Sequence, residues 1–118
     1  MIVLRALAAV VGLAAGAPAL AQDYPARPVT IVVPTGPGGG MEMVARLVAP
    51  KLEQRFGKPF VIENRPGAGT NIGAAAVARS APDGHTLLMA TSSTMAINSS
   101  IYKSLPFDPM KDLMPVVL

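Results

Sequence analysis

Val29-Thr30-Ile31-Val32-Val33-Pro34 runs directly into Thr35-Gly36-Pro37-Gly38-Gly39-Gly40, and this junction decides how the chain folds. A β-branched run closed by proline predicts a strand covered on both faces, as in a parallel sheet. The glycines behind it predict a loop, and a helical period follows the loop. Val44, Val48, Leu52 and Phe56 recur at every fourth residue, with Leu47 widening the stripe. Glu42 near the start and Arg55 and Lys58 near the end suit the helix dipole, and Gly57 predicts the stop. Pro50 falls inside this helix and predicts a kink costing about 3 kcal/mol, or a break into two helices.

The same grammar repeats twice. Phe60-Val61-Ile62 predicts a second strand, Asn64 to Gly69 a second glycine-bearing loop, and Asn71 to Ser80 an alanine-rich helix. Ala81-Pro82-Asp83-Gly84 is a turn by composition. His85 to Ala90 predicts a third strand, Thr91-Ser92-Ser93-Thr94 a polar loop, and Met95 to Leu105 a short helix. Met114 to Leu118 reads as the start of a fourth strand. The β-loop-α order is that of right-handed parallel βαβ units, so the fold class is α/β. All three loops then leave the carboxyl ends of their strands, the rim where open α/β sheets bind ligands.

Composition narrows the function. The chain has 118 residues, no cysteine, no tryptophan, one histidine and a net charge of +3. Disulfides, thiolate metal sites and cysteine nucleophiles are thereby excluded, and neither metal nor cofactor is expected. So mild a charge with 4% aromatics gives no footprint for nucleic acid.

Residues 1–21 read as a secretory signal peptide. Arg5 precedes an apolar run from Ala6 to Ala17, and Ala19-Leu20-Ala21 is a small-x-small pattern with cleavage expected after Ala21. The run is shorter than the roughly 20 residues of a spanning helix; a retained anchor is the alternative. Residues 22–118 form the mature portion, where the apolar fraction drops to about 44%, ordinary for a globular domain.

The loop Thr35 to Gly40 is the most informative candidate site. Its glycines let backbone amides approach a ligand, and the next helix offers its positive end to carboxylate or phosphate. Nucleotide patterns fail. Met41-Glu42-Met43 stands where a P-loop needs lysine, and G-x-G-x-x-G reaches Met41 from Gly36 and Met43 from Gly38. A tight strand-to-helix turn with no ligand is the other reading. Thr91 to Thr94 can donate to a carboxylate or cap the next helix. Arg65 can pair with a carboxylate ligand or with neighbouring Glu63. His85 reads as a surface or strand-edge residue, and Ser92 and Ser93 lack a nucleophile-elbow context. Asn98-Ser99-Ser100 matches the short glycosylation pattern, which occurs often by chance.

Four spaced segments resemble one family. Val33-Pro34 to Gly38-Gly39 with Val44-Ala45-Arg46 is the first. Glu63 to Gly69 with Asn71-Ile72-Gly73-Ala74 is the second. Ala81-Pro82-Asp83-Gly84 is the third, and Tyr102-Lys103 with Leu105-Pro106-Phe107-Asp108-Pro109 the fourth. They are similar to the periplasmic solute receptors of tripartite tricarboxylate transporters, the Bug family. The resemblance implies a periplasmic-binding-protein type II fold, in which two α/β lobes close on a small organic carboxylate. It implies delivery of that solute to a membrane permease of one large and one small subunit. It also implies a carboxylate head held by backbone amides, hydroxyls and water. Carried onto this chain, the substrate-binding candidates are Thr35, Gly36, Gly38, Gly39, Gly40, Asn71, Thr91, Ser92 and Ser93. The family often has an aromatic at the position of Thr35. It often has a hydroxyl residue then aspartate where Met41-Glu42 stands, which leaves Gly40 as the expected helix cap.

Family members are more than twice as long, so the expectation is the first half of lobe one with the second lobe absent. Two other readings stand beside the receptor. One is an exported α/β hydrolase-like enzyme using the glycine loop as an anion site; the other is a nonfunctional remnant of the receptor.

Overall fold

In the computed structural model, which describes residues 23–117, the central element is the β-branched run, strand β1 (Val29–Val33). Strands β2 (Phe60–Asn64) and β3 (Thr86–Leu88) lie on either side of it, and both pairs are parallel. The order is β2-β1-β3, with Val29 opposite Phe60 and Thr30 opposite Thr86. Helix α1 (Gly40–Phe56) connects β1 to β2, and α2 (Asn71–Ala78) connects β2 to β3. A right-handed crossover to one side and another to the opposite side place two helices on opposite faces of the sheet.

The core follows that arrangement. On one face Val29, Ile31 and Val33 pack with Ala45, Ala49 and Phe60, and Met41, Leu52, Ile62, Leu87 and Met89 surround them. A second cluster gathers Ala74 and Ala75 of α2 with Phe107, Leu88 and Leu113. Both faces of β1 are covered, which is why its run is nearly all apolar.

The buried face of α1 is not the predicted one. Ala45 and Ala49 are buried, whereas Val44 and Val48 are 49% and 42% exposed and Leu47 is 66% exposed. A helix lying close on a sheet seats its smallest side chains at the contact, and the four-residue valine spacing falls to the flank of that face. Pro50 breaks nothing either, since α1 is one helix of 17 residues. Pro50 and Arg46 are both exposed, so the Arg46 carbonyl that the ring deprives of a partner can be hydrated. Gly57 ends the helix as expected, at φ 70°, donating its N–H to the Glu53 carbonyl at 2.8 Å.

Strand β2 runs two residues past the predicted Ile62, whereas the later elements are shorter than predicted. Helix α2 stops at Ala78, β3 has three residues, and residues 114–117 form no strand among the described residues. The predicted signal peptide, residues 1–21, lies outside the described residues. At the amino-terminal rim of the sheet, the lead-in to β1 is fastened to the turn before β3. Tyr24 Oη donates to the Gly84 carbonyl at 2.7 Å, and Arg27 pairs with Asp83 at 3.1 Å. The Ala26 N–H is accepted by His85 Nε2 at 3.2 Å. Of the two readings of His85, the strand-edge one fits its place directly before β3, while the surface one does not, since the ring is buried against Tyr24.

Candidate functional site

Parallel pairing brings the ends of β1, β2 and β3 to one rim. The β1–α1 loop leaves toward one face of the sheet and the β2–α2 loop toward the other. Beyond β3 the chain continues as a π-helical turn (Ser93–Ile97) and helix α3 (Asn98–Ile101), which pack against the β2–α2 side. The connections of β1 and β3 part to opposite faces, the kind of position at which open α/β sheets bind ligands. The Thr35–Gly40 and Thr91–Ser93 segments follow β1 and β3 and so lie at this same rim.

The first loop is built from its glycines. Gly38 takes φ +84°, a conformation that a side chain strains. Gly39, not the expected Gly40, is the helix cap, its carbonyl accepting the Met43 N–H at 3.1 Å. A Cβ at Gly39 would stand in ordinary contact with Thr35 Oγ1, at 3.8 Å, and with the Gly36 carbonyl oxygen, at 3.6 Å, so the glycine run passes close over that hydroxyl. Thr35 Oγ1 is buried and has no hydrogen-bond partner among the described residues. An unpaired buried hydroxyl is costly and normally meets a water or a ligand. Asn64 Nδ2 donates to the Thr35 carbonyl at 3.1 Å and ties the second strand's end to this loop.

Glu42, not among the predicted site residues, is buried beneath the loop. Its Oε2 accepts the Gly38 N–H at 2.5 Å, which takes the Gly38 amide out of the donor set. Its Oε1 accepts from Arg46 Nε at 2.9 Å and Nη2 at 2.5 Å. The Gly38 amide, with the Arg46 guanidinium behind it, holds the Glu42 carboxyl below the usual carboxylate range. A sequence signal existed: a Glu three residues past the helix cap is the pattern of a side chain reaching back to the cap.

The second and third loops are joined by a polar network. Ala68, Gly69 and Thr70 all have positive φ (46°, 59° and 82°) and lead into Asn71, the first residue of α2. Thr70 Oγ1 and Thr94 Oγ1 are 2.8 Å apart, and Thr91 Oγ1 lies 3.0 Å from Thr94 Oγ1. Thr91 Oγ1 also accepts the Thr94 N–H at 3.1 Å, so its hydroxyl caps the turn that follows. That turn begins two residues earlier than the predicted helix, which puts Ser93 on it with Ser92 just ahead; Ser92 is exposed. Asn98 Nδ2 donates to Asn71 Oδ1 and to the Gly69 carbonyl, both at 2.7 Å. With Oδ1 engaged, what Asn71 has left to offer a ligand is its Nδ2 donors. Asn98 is buried, which removes it as a glycosylation acceptor.

Arg65 takes the nearer partner, its Nε 2.6 Å from Glu63 Oε1 in a half-exposed pair. A hollow of about 460 Å³ lies along α2, lined by Asn71, Ile72, Ala75, Arg79, Tyr102 and Pro106 among others. Of the predicted site residues, only Asn71 reaches it.

The chain matches the model of the tripartite tricarboxylate transporter family receptor over residues 44–118. It belongs to that receptor family. This receptor-family chain is 46% identical over 101 residues to Protein BugT of Bordetella pertussis, an alignment covering 85% of this chain and 31% of BugT. Among solved structures it resembles MatC from Rhodopseudomonas palustris with bound malate. That match has 41% identity and a TM-score of 0.75, covering 79% of this chain and 32% of MatC. It also resembles R. palustris Rpa4515 with adipate, at 42% identity and TM-score 0.71, covering 75% and 29% of the two chains. The receptor-family chain thus spans about a third of the length of the relatives it matches.

Proposed function

We propose that this chain supplies one wall of a periplasmic receptor for a small organic carboxylate, delivered to the large and small membrane subunits of a tripartite permease. The carrying observation is Thr35 Oγ1, buried and unpaired just past the carboxyl end of β1, beside a glycine loop whose helix has no side-chain cap. One carboxylate oxygen meets that hydroxyl. The loop amides beyond Gly38 and the positive end of α1 face the remaining charge. Asn71 donates from α2, and Ser92 and Ser93 from beyond β3. The bound acids of MatC and Rpa4515 support a dicarboxylate of about four to six carbons. A cleft needs a second wall, which on this reading comes from a further lobe. Export with cleavage after Ala21 completes the proposal.

Calorimetric titration of the full-length protein with malate and adipate tests it. Saturable binding of either acid, without turnover, is the expected result, and Thr35→Val weakens it roughly tenfold by removing one hydrogen bond to a charged group. Consumption of the acid, or a Thr35→Val variant binding as tightly as wild type, contradicts the proposal.

A further inference from the structure

The side chain of Glu42 is 5% exposed and negatively charged, and it lies in the loop proposed to receive a negatively charged solute. A carboxylate at such a depth persists only if its oxygens are satisfied. Oε2 has the Gly38 N–H, and Oε1 has two donors from Arg46. Arg46 itself is 69% exposed, so the pair's charge is balanced from the solvent side of α1. The positive end of α1 adds to the fit.

This arrangement resembles a loop already holding an anion. Gly36, Gly38, Gly39 and Gly40 have no side chains of their own to fix them, and glycine runs are the most costly backbone to order. A side chain that grips the middle of the run from below restricts it before any solute arrives. It also decides which donors stay open, since the Gly38 amide is spent while Thr35 Oγ1 is not.

We propose that Glu42 is a positioning residue of the solute site, a resident carboxylate that clamps Gly38 and presets the β1–α1 loop for the incoming acid. This rests on the receptor reading, and the experiment separates the two. Amide hydrogen exchange is measured on the full-length protein without solute, for wild type and Glu42→Ala. Malate and adipate affinities are measured for the same pair, with and without added formate. Exchange at Gly38, the amide that Glu42 holds, rises at least tenfold in Glu42→Ala while the amides of β1 keep their protection. Affinity for the acid that wild type binds falls roughly tenfold. Formate, small enough to refill the space between Gly38 and Arg46, restores part of that affinity in Glu42→Ala and only competes in wild type.

Unchanged loop exchange overturns the proposal, and so does undiminished affinity. A loss of affinity that formate leaves untouched and that tracks thermal stability assigns Glu42 a general structural role and also overturns it. Should Glu42→Ala not fold, Glu42→Gln, which keeps an acceptor but not the charge, carries the exchange and affinity comparisons without formate, since its amide fills that space. If wild type binds neither acid, the receptor reading fails for those acids while the exchange measurement still decides whether Glu42 sets the loop.

Discussion

Asn98 and Asn71 hold each other across the two strand-to-helix connections, Nδ2 to Oδ1 at 2.7 Å, and both are buried. The same nitrogen satisfies the Gly69 carbonyl within four consecutive positive-φ residues, Gly67 to Thr70. Asn98→Ala leaves the buried Asn71 Oδ1 without this donor and frees the Gly69 carbonyl, a loss of about 1–3 kcal/mol. Asn98→Asp costs more, because it sets a carboxylate against those oxygens. Urea unfolding of the full-length protein gives the order wild type, Asn98→Ala, Asn98→Asp, from most to least stable.

Gly73 lets α2 lie against the end of β1. A Cβ there would stand 2.8 Å from Pro34 Cβ and 2.9 Å from the Arg65 carbonyl oxygen, a ring and a backbone atom that cannot swing aside. Gly73→Ala therefore destabilises by about 1–3 kcal/mol. At Gly36 nothing lies within 4 Å of a new Cβ, and Gly36→Ala changes stability by less than about 0.5 kcal/mol. Thermal melts of the two variants make the comparison.

Acid should expose Glu42. Its folded pKa lies below its unfolded one, so its contribution is complete above the unfolded value and is lost as pH falls through the folded value. Asp83, lowered first by the His85 N–H and then by Arg27, behaves in the same way, so the acid limb is shared. The specific expectation is a difference: the stability gap between wild type and Glu42→Gln narrows as pH drops from 6 toward 3. A gap that stays constant over that range assigns the acid limb to other groups.

The outer side of α1 carries Met43, Val44, Leu47 and Val48 in the open, and among the described residues β2 and β3 each pair on one side only. Such edges and apolar stripes associate when left uncovered. Residues 22–118 expressed alone are expected to self-associate and to melt without a cooperative transition. A sharp reversible melt of a monomer, followed by calorimetry and light scattering, contradicts this.

Where one residue type settles the local structure, the sequence was readable. The β-branched run of β1, the stop at Gly57 and the loop at Thr35–Gly40 needed no tertiary information. Helix α1 was legible as a helix but not by its face, because Ala45 and Ala49 win the sheet contact through size, which a hydrophobicity period does not weigh. Pro50 looked disruptive because its cost depends on whether the stranded carbonyl meets water, a matter of orientation. The Thr70–Thr94 and Asn71–Asn98 contacts join residues 24 and 27 positions apart, and no spacing rule reaches that far. At the candidate site, Thr35 and the glycines stood out in sequence, whereas Glu42 read only as a favourable charge near a helix start.

If the rim at the carboxyl ends of β1 and β3 takes the acid, backbone amide shifts report it residue by residue. Titrating malate or adipate into isotope-labelled full-length protein should move the amides of Thr35, Gly36, Gly39, Gly40 and Asn71 together along one saturation curve. Gly84 and His85, at the opposite rim, should stay in place. Shifts centred on Gly84 and His85, or saturation with the Thr35–Gly40 amides unmoved, would contradict the account.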